Sequence, residues 1–380
     1  MALDPGNVVQ NAIYLSGGTE WPIGYEAWEA RARESLDRAP FDYVAGGAGA
    51  EETMRANLEA FRRRPLRPRM LVGTAERDLS VEVLGLRSPA PFFLAPVGVL
   101  SIVRDDAERA VARASTATGV PLILSSASST ALEDVAALDP PRWFQLYWWG
   151  DPELAENLVR RADAAGYGAI VLTVDTLTLA WRPRDLRNGY LPFLNGAGLA
   201  QFFADEAFRG RLESPPEESL LPASLMALSA FPNLALTWDD LARLREWTSL
   251  PVLLKGILRA DDARRALDAG MDGIVVSNHG GRQVDGSIAA LDALVEVRDA
   301  VGPDAVVLMD SGVRTGADVV KAVALGADAV LLGRPYVYGL AVGGQEGIEA
   351  VITQLAAEVD LTMALSGARA VAELDPSLVA

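Results

Sequence analysis

The hydrophobic positions fall into short continuous runs rather than an alternating pattern. Eight runs have strand length: "PFFLAPVG" (91–98), "PLILSSAS" (121–128), "RWFQLYWW" (142–149), "GAIVLTVD" (168–175), "PVLLKGI" (251–257), "GIVVSNHG" (273–280), "AVVLMDSG" (305–312) and "AVLLGRP" (329–335). Runs of this kind, bounded by turn residues, mark strands buried on both faces. Between them the period changes. "DAERAVARASTATG", "DPELAENLVRRADAAG", "ADDARRALDAG" and "TGADVVKAVALGA" carry apolar residues at helical spacing. Asp, Ser or Thr near the starts and Gly at the ends fit helix caps. Alternating strand and helix predicts a parallel sheet, and eight units predict a closed (β/α)8 TIM barrel. An open doubly wound sheet is the rival. It would carry a glycine-rich turn after the first strand, and "APVGVLS" does not match.

Two segments lie outside this pattern. Residues 1–90 precede the barrel, which is expected over 91–372 as part of the same single domain. Helical stretches are expected around 25–38 and 50–63, followed by a short hairpin in "VGTAERDLSVEVLGLRSPAP". The second segment, about 176–236, separates the fourth and fifth strands. An insertion of that length is a binding loop or lid, or else disordered. A partly mobile lid is the expectation, because it leaves the strand end where barrel enzymes place their chemistry.

Composition narrows the function. The chain has 34 basic and 51 acidic residues, a net charge of -17. Such a balance repels nucleic acid and anionic membranes, so neither is expected as a partner. A few local arginines would still hold a small anion. There is no cysteine, which excludes disulfides, thiolate metal sites and cysteine nucleophiles. The N-terminus lacks a signal-peptide pattern and no apolar run is long enough to span a bilayer. A cytoplasmic protein is the expectation.

In a barrel, catalytic groups collect at the C-terminal strand ends. The polar residues there are Ser125, Gln145, Tyr147, Thr173, Asp175, Lys255, Ser277, His279, Asp310 and Arg334, with Arg182 and Arg282 just beyond. His279 is the only histidine. The plain alternative is an imidazole bonded to a backbone carbonyl. Its place between an apolar strand and Gly-Gly favours a general base instead. With no second histidine, no metal site is expected. Asp175 is a loop anchor or the carboxylate that orients His279. Arg182 and Arg282 are surface groups or a clamp for a substrate carboxylate. Lys255, flanked by apolar residues, needs a negative partner, expected to be a substrate or a cofactor that gains charge. "DSGVRTGAD" and "LGRP" follow strands seven and eight and contribute Gly312, Arg314, Gly333 and Arg334. Turns there commonly bind phosphate. A base, a carboxylate clamp, a phosphate anchor and a buried lysine together fit oxidation of a 2-hydroxy acid. No residue is redox active, so the acceptor must be bound. FMN fits one phosphate and one lysine.

These residues also carry a resemblance. "FDYVAGGAG", "FQLY", "LTVDT", "KGI", "SNHGGRQ", "DSGVR" and "GRP" occur in the order seen in FMN-dependent 2-hydroxy acid oxidases and dehydrogenases, across about residues 25–372. "WRPRDL", "LGRPYVYGLAVGG" and the long insertion look most like lactate 2-monooxygenase. The resemblance implies His279 as base beside Asp175, Arg182 and Arg282 on the carboxylate with help from Tyr43, and Tyr147 on the substrate oxygen. It places Lys255 beside the reducible end of the flavin. Ser125, Gln145 and Thr173, with the backbone of Val97 and Gly98, would meet the flavin ring. Asp310 would meet the ribityl chain, and Arg314, Gly333 and Arg334 the phosphate. It also implies L-lactate and O2 as substrates, giving acetate, carbon dioxide and water. An oxidase releasing keto acid and H2O2, or a dehydrogenase with another acceptor, shares the same residues. A non-catalytic FMN-binding barrel would need the phosphate turns but not the His279 set. Homotetramers or homo-octamers are implied. Ala127, where several relatives carry an aromatic residue, and Val97-Gly98, in place of Thr-Ala, depart from the pattern and leave the substrate side chain open.

Overall fold

The structure, a computed structural model, describes residues 5–380. Eight parallel strands close into one barrel. They are β1 (Phe92–Leu94), β2 (Leu122–Ser125), β3 (Arg142–Leu146), β4 (Ile170–Thr173), β5 (Val252–Ile257), β6 (Gly273–Val276), β7 (Val306–Met309) and β8 (Ala329–Leu332). β8 returns to β1, with Val330 opposite Phe92 and Leu332 opposite Leu94. Each strand sits inside one of the eight apolar runs.

Double-sided burial explains why the runs are continuous. Successive side chains point to opposite faces of a strand. Phe93, Ile123, Trp143, Val171, Leu253, Val275, Leu308 and Leu331 fill the barrel interior. Their neighbours Phe92, Leu94, Leu122, Leu124, Phe144, Ile170 and Leu172 face the helical layer. Both faces exclude water, so neither tolerates polar residues until the strand ends. The hairpin forms where expected, pairing Val81–Val83 with Leu86–Ser88. Its Val83 joins the interior cluster and closes the end of the barrel opposite the polar strand ends.

The N-terminal segment holds helices Gly6–Leu15, Tyr25–Ser35, Arg38–Ala45 and Glu52–Arg62. The helical stretch expected over 25–38 is therefore two elements. Leu36 and Asp37 are extended, and Pro40 in the following first turn suits a new helix start. The break turns Tyr43 toward the barrel mouth. A long helical stretch, Arg334–Ser366, broken by a kink at Gly344 where φ is 60°, starts directly after β8 and packs on this segment. No described helix is long and apolar enough to cross a membrane.

The insertion is packed rather than extended. It holds short helices at Pro183–Asn188, Ala200–Phe203 and Glu206–Arg209 and a longer one at Leu220–Ala230. Phe202 stacks on Trp149 with ring centroids 3.7 Å apart. The fully buried Gln201 donates to Ser128 Oγ and the Thr130 carbonyl at 2.7 and 3.0 Å, and accepts from the Leu132 amide. These bonds tie the insertion to the loop after β2.

Candidate active site

The polar strand ends converge on one cavity, open at its mouth and lined by Tyr43, Tyr147, Arg182, Lys255, His279 and Arg282 among others. Clefts of this kind, apolar walls with a few convergent polar groups, are where small ligands and cofactors bind. His279 lies at the exit of β6 in a left-handed turn. His279, Gly280 and Gly281 have φ values of 58°, 65° and 75°. Left-handed backbone costs roughly 1–2 kcal/mol for a residue with a Cβ, so the turn must be held from outside. The His279 amide donates to Ser277 Oγ at 3.0 Å and the Gly280 amide to Ser311 Oγ at 2.9 Å. Asn278 accepts from the Gly281 amide at 3.1 Å and exchanges hydrogen bonds with the buried Asn57. The glycines are also required by space. A Cβ on Gly281 would lie 2.8 Å from the Met54 amide nitrogen, and one on Gly280 2.9 Å from Arg334 Nη1.

The His279 Nδ1 lies 2.9 Å from Asp175 Oδ1. Thr176 Oγ donates to the same carboxylate oxygen at 2.8 Å. Burial would raise the Asp175 pKa, but His279 and Lys255 outweigh it and bring the group to about 2. Burial also pushes the imidazole below its ordinary value, with Lys255 adding to this and Asp175 opposing it. At neutral pH the pair is therefore a neutral base beside an ionised carboxylate.

Lys255 and Asp310 form the second charged pair, with Nζ 3.1 Å from Oδ2. Ser277 bridges them, accepting from Lys255 at 3.0 Å and donating to Asp310 at 2.5 Å. The resident partner of the buried lysine is thus a carboxylate of the chain itself, which the expectation of a substrate or cofactor partner did not include. Burial disfavours the ammonium, yet Asp310 and Asp175 hold its pKa above the ordinary value. Lys255 stays charged at the cavity wall.

The two arginines meet at the mouth. Arg182 Nε donates to the Arg282 carbonyl at 3.2 Å, and its Nη2 to Gln283 Oε1 at 3.1 Å. Gln283 in turn donates to the Asp175 carbonyl at 2.8 Å. It therefore connects Asp175 to the arginine pair. Arg282 spends Nη1 on the carbonyls of Tyr43 and Gly46, at 2.5 and 2.9 Å, and lies over the Tyr43 ring. Burial and the neighbouring Arg182 lower its pKa. Two cations this close, in low dielectric, favour an anion between them. Tyr147 faces the same space, and burial with the Asp175 charge keeps its phenol protonated.

Ser125, Gln145 and Thr173 lie beneath the cavity. Ser125 Oγ donates to Gln145 Oε1 and Gln145 Nε2 to Thr173 Oγ, both at 3.0 Å. Val97, Gly98, Gly312, Arg314, Gly333 and Arg334 line the opposite end. The Gly333 side facing the cavity is open, with only a Val97 methyl 4.0 Å from where a Cβ would stand. The long helix starts at the next residue, aiming free amides and its positive dipole end there. Arg314 Nε is buried without a hydrogen-bond partner among the described residues. Arg334 is placed differently. Its guanidinium donates to the carbonyls of Val44, Gly46 and Gly280, so it fastens the N-terminal segment to the His279 turn. An anion at this end would rest on the backbone amides and Arg314 before it met Arg334. An open glycine, a helix start and a guanidinium whose buried Nε has no hydrogen-bond partner among the described residues, while its Nη1 donates to the Val313 carbonyl, fit a phosphate group, and the adjoining cavity fits a flavin ring over Lys255.

Sequence reasoning passed over several residues that shape the cavity. Leu179, Phe193 and Phe231 of the insertion line it, and Phe231 meets Tyr147 edge-on at 5.3 Å. Gln283 was visible within "SNHGGRQ" but carried no separate signal.

Comparison with known proteins decides the assignment. Residues 32–380 match the family described as FMN-dependent dehydrogenase. The chain belongs to that family. FMN is accordingly its cofactor. It is 46% identical over 350 residues to the FMN-dependent alpha-hydroxy acid dehydrogenase qulF of Penicillium citrinum, covering 91% of this chain and 87% of that protein. It is 43% identical over 365 residues to an L-lactate oxidase of Nostoc sp. (strain PCC 7120 / SAG 25.82 / UTEX 2576), covering 94% and 98%. Among solved structures it resembles mandelate oxidase with (S)-4-hydroxymandelic acid, with a TM-score of 0.84 and 40% identity over 94% of this chain and 98% of that one. The fold is thus shared with proteins named for different hydroxy acids.

Proposed function

We propose that this FMN-dependent enzyme oxidises a small L-2-hydroxy acid, with L-lactate as first substrate and O2 as final oxidant. The observation that carries this is the convergence of the His279–Asp175 pair and the Arg182–Arg282 pair on one cavity. Relatives named for lactate and other hydroxy acid oxidation support it.

The residues divide the work. Arg182 and Arg282 bind the carboxylate and fix the substrate's orientation. Tyr147 keeps its proton and donates a hydrogen bond to the oxygen on C2. His279 Nε2 takes a proton as the acid loses two electrons, and Asp175 stabilises the imidazolium that results. Lys255 holds positive charge where negative charge accumulates. When bound, FMN would supply the two-electron chemistry that couples oxidation of the acid to reduction of O2 to H2O2. Ser125, Gln145, Thr173 and the backbone at Val97 and Gly98 would hold its ring. Asp310 and Ser277 would lie along it, and Gly312, Arg314, Gly333 and Arg334 would surround its phosphate.

The finer proposal concerns product. Pyruvate and H2O2 held together react to give acetate, carbon dioxide and water, with the peroxide reducing to water as the keto acid loses its carboxyl group. Phe193 and Phe231 over the cavity, and the insertion fastened by Gln201, support retention of pyruvate and therefore a monooxygenase outcome. The second reading is an oxidase. It is favoured by the exposed Leu179 and Trp181 at the mouth, in a short stretch without helix or strand that offers an exit. The ratio of H2O2 released to O2 consumed with L-lactate, with acetate and pyruvate quantified, separates the two. Little peroxide with acetate supports the monooxygenase. Equal amounts with pyruvate support the oxidase. Assembly into a homotetramer or homo-octamer is part of the same proposal. It is supported by Met70, Leu71 and Leu365, apolar side chains that a single copy leaves exposed.

A further inference from the structure

Arg182 lies at the start of a short helix, Pro183–Asn188, that opens the insertion. That helix is fastened to the N-terminal segment. Arg184 Nη2 lies 2.7 Å from Glu51 Oε2, and its Nη1 3.8 Å from Asp42 Oδ1. Asn188 donates to the other Asp42 oxygen at 2.9 Å. The Gly49 amide donates to the Trp181 carbonyl at 3.0 Å. Between these bonds runs the turn from Tyr43 to Glu51, whose carbonyls at Tyr43 and Gly46 receive the Arg282 guanidinium.

The turn is strained at its end. Glu51 has φ 61°, a left-handed conformation that persists only where surrounding contacts fix it. Its second carboxylate oxygen accepts from the Gly47 amide at 3.1 Å, so one side chain closes the turn and grips Arg184. The packing is tight as well: a Cβ on Gly46 would lie 3.1 Å from Arg184 Cδ. Among the described residues, Arg184 is therefore the cation that joins the element carrying Arg182 to the turn that aims Arg282.

We propose that Arg184 is a positioning residue for the substrate carboxylate: through Glu51 it sets the distance between Arg182 and Arg282. It touches neither substrate nor cofactor. The inference rests on the reading of those two arginines as a carboxylate clamp. Losing Arg184 would let the stem helix and the Tyr43–Glu51 turn drift apart. A displacement near one ångström in a binding group has large kinetic effects.

The test uses the FMN-loaded enzyme as wild type, Arg184→Ala, Arg184→Lys, Glu51→Gln and the Arg184→Ala/Glu51→Gln pair. Arg184→Ala should raise KM for the acid about tenfold, with a much smaller change in kcat and with FMN retained. Arg184→Lys should recover most of this. The double variant should be no worse than Arg184→Ala, because both changes break one link. Hydrogen exchange at the Gly47 and Gly49 amides should speed up in Arg184→Ala, independently of any substrate. KM within twofold of wild type in Arg184→Ala, or additive effects in the double variant, would overturn the proposal. If the wild-type enzyme is reduced by no 2-hydroxy acid, the clamp reading itself fails. Unchanged exchange at those amides would then also exclude the link. Should Arg184→Ala fail to fold, Arg184→Lys and Glu51→Gln still decide by the same readouts.

Discussion

The Nδ1 of His279 sits 2.9 Å from a carboxylate oxygen of Asp175, and the other oxygen of that carboxylate has no hydrogen-bond partner among the described residues. One ring nitrogen is thereby committed, which leaves Nε2 to face the cavity. His279→Ala should retain FMN and lose reduction by substrate, by about 10³-fold under anaerobic mixing. Near-normal bleaching of the flavin would remove His279 from the mechanism.

The pH profile follows from the same pair. In the proposed role His279 must be neutral to take a proton, and its pKa lies below the ordinary 6.5. The acid limb of kcat/KM should therefore fall below pH 6.5, with rate lost as pH drops. Stability shows a related sign. Asp175 is depressed from 3.8 to about 2, so its contribution is present above pH 3.8 and is lost as pH falls toward 2. That contribution is roughly 2 kcal/mol. In Asp175→Asn the low-pH part of an unfolding titration should flatten. An unaltered slope would show that the carboxylate is not held ionised by its neighbours.

Lys255 and Asp310 separate stability from activity. Lys255→Met leaves Asp310 buried without its cation and should destabilise the fold by about 3 kcal/mol. Adding Asp310→Asn removes the stranded charge and should restore much of that loss, without restoring turnover. Chemical denaturation and steady-state kinetics on the same samples check both halves. Recovery of turnover in the double variant would argue that the positive charge has no part in the reaction.

The aromatic wall makes a prediction about substrate size. Phe231 meets Tyr147 edge-on, and Ala127 across the cavity is small. Phe231→Ala should lower KM for bulkier 2-hydroxy acids relative to lactate by about tenfold, the scale of a buried methylene or two. An unchanged preference would place the substrate side chain elsewhere.

The barrel was legible because burial on both faces leaves a continuous apolar run that ends abruptly in polar residues. Phe93 facing inward and Phe92 outward leave one pattern with no gap. His279 was legible because it is the only histidine. Other parts had no local signal. Asn57 and Asn278 support the His279 turn from positions 221 residues apart, a pairing that only the closed fold creates. Asp310 reads as a strand-end acid, yet its contact with Lys255 depends on the adjacent β5, β6 and β7 ends. Arg334 followed the phosphate pattern in sequence, but its guanidinium is drawn to the carbonyls of Val44, Gly46 and Gly280. Those acceptors become available only when the N-terminal segment packs over the mouth.

The exposed stretch from Leu179 to Trp181 has a practical consequence. It lies between the Asp175–Thr176 pair and Arg182, on the rim of the cavity, and Trp181 points into solvent. The chain contains no cysteine, so Trp181→Cys would give the molecule a single thiol at its doorway. A fluorophore attached there would have no competing label anywhere else. Its intensity could then be followed molecule by molecule, so that any movement of the rim is read against each turnover.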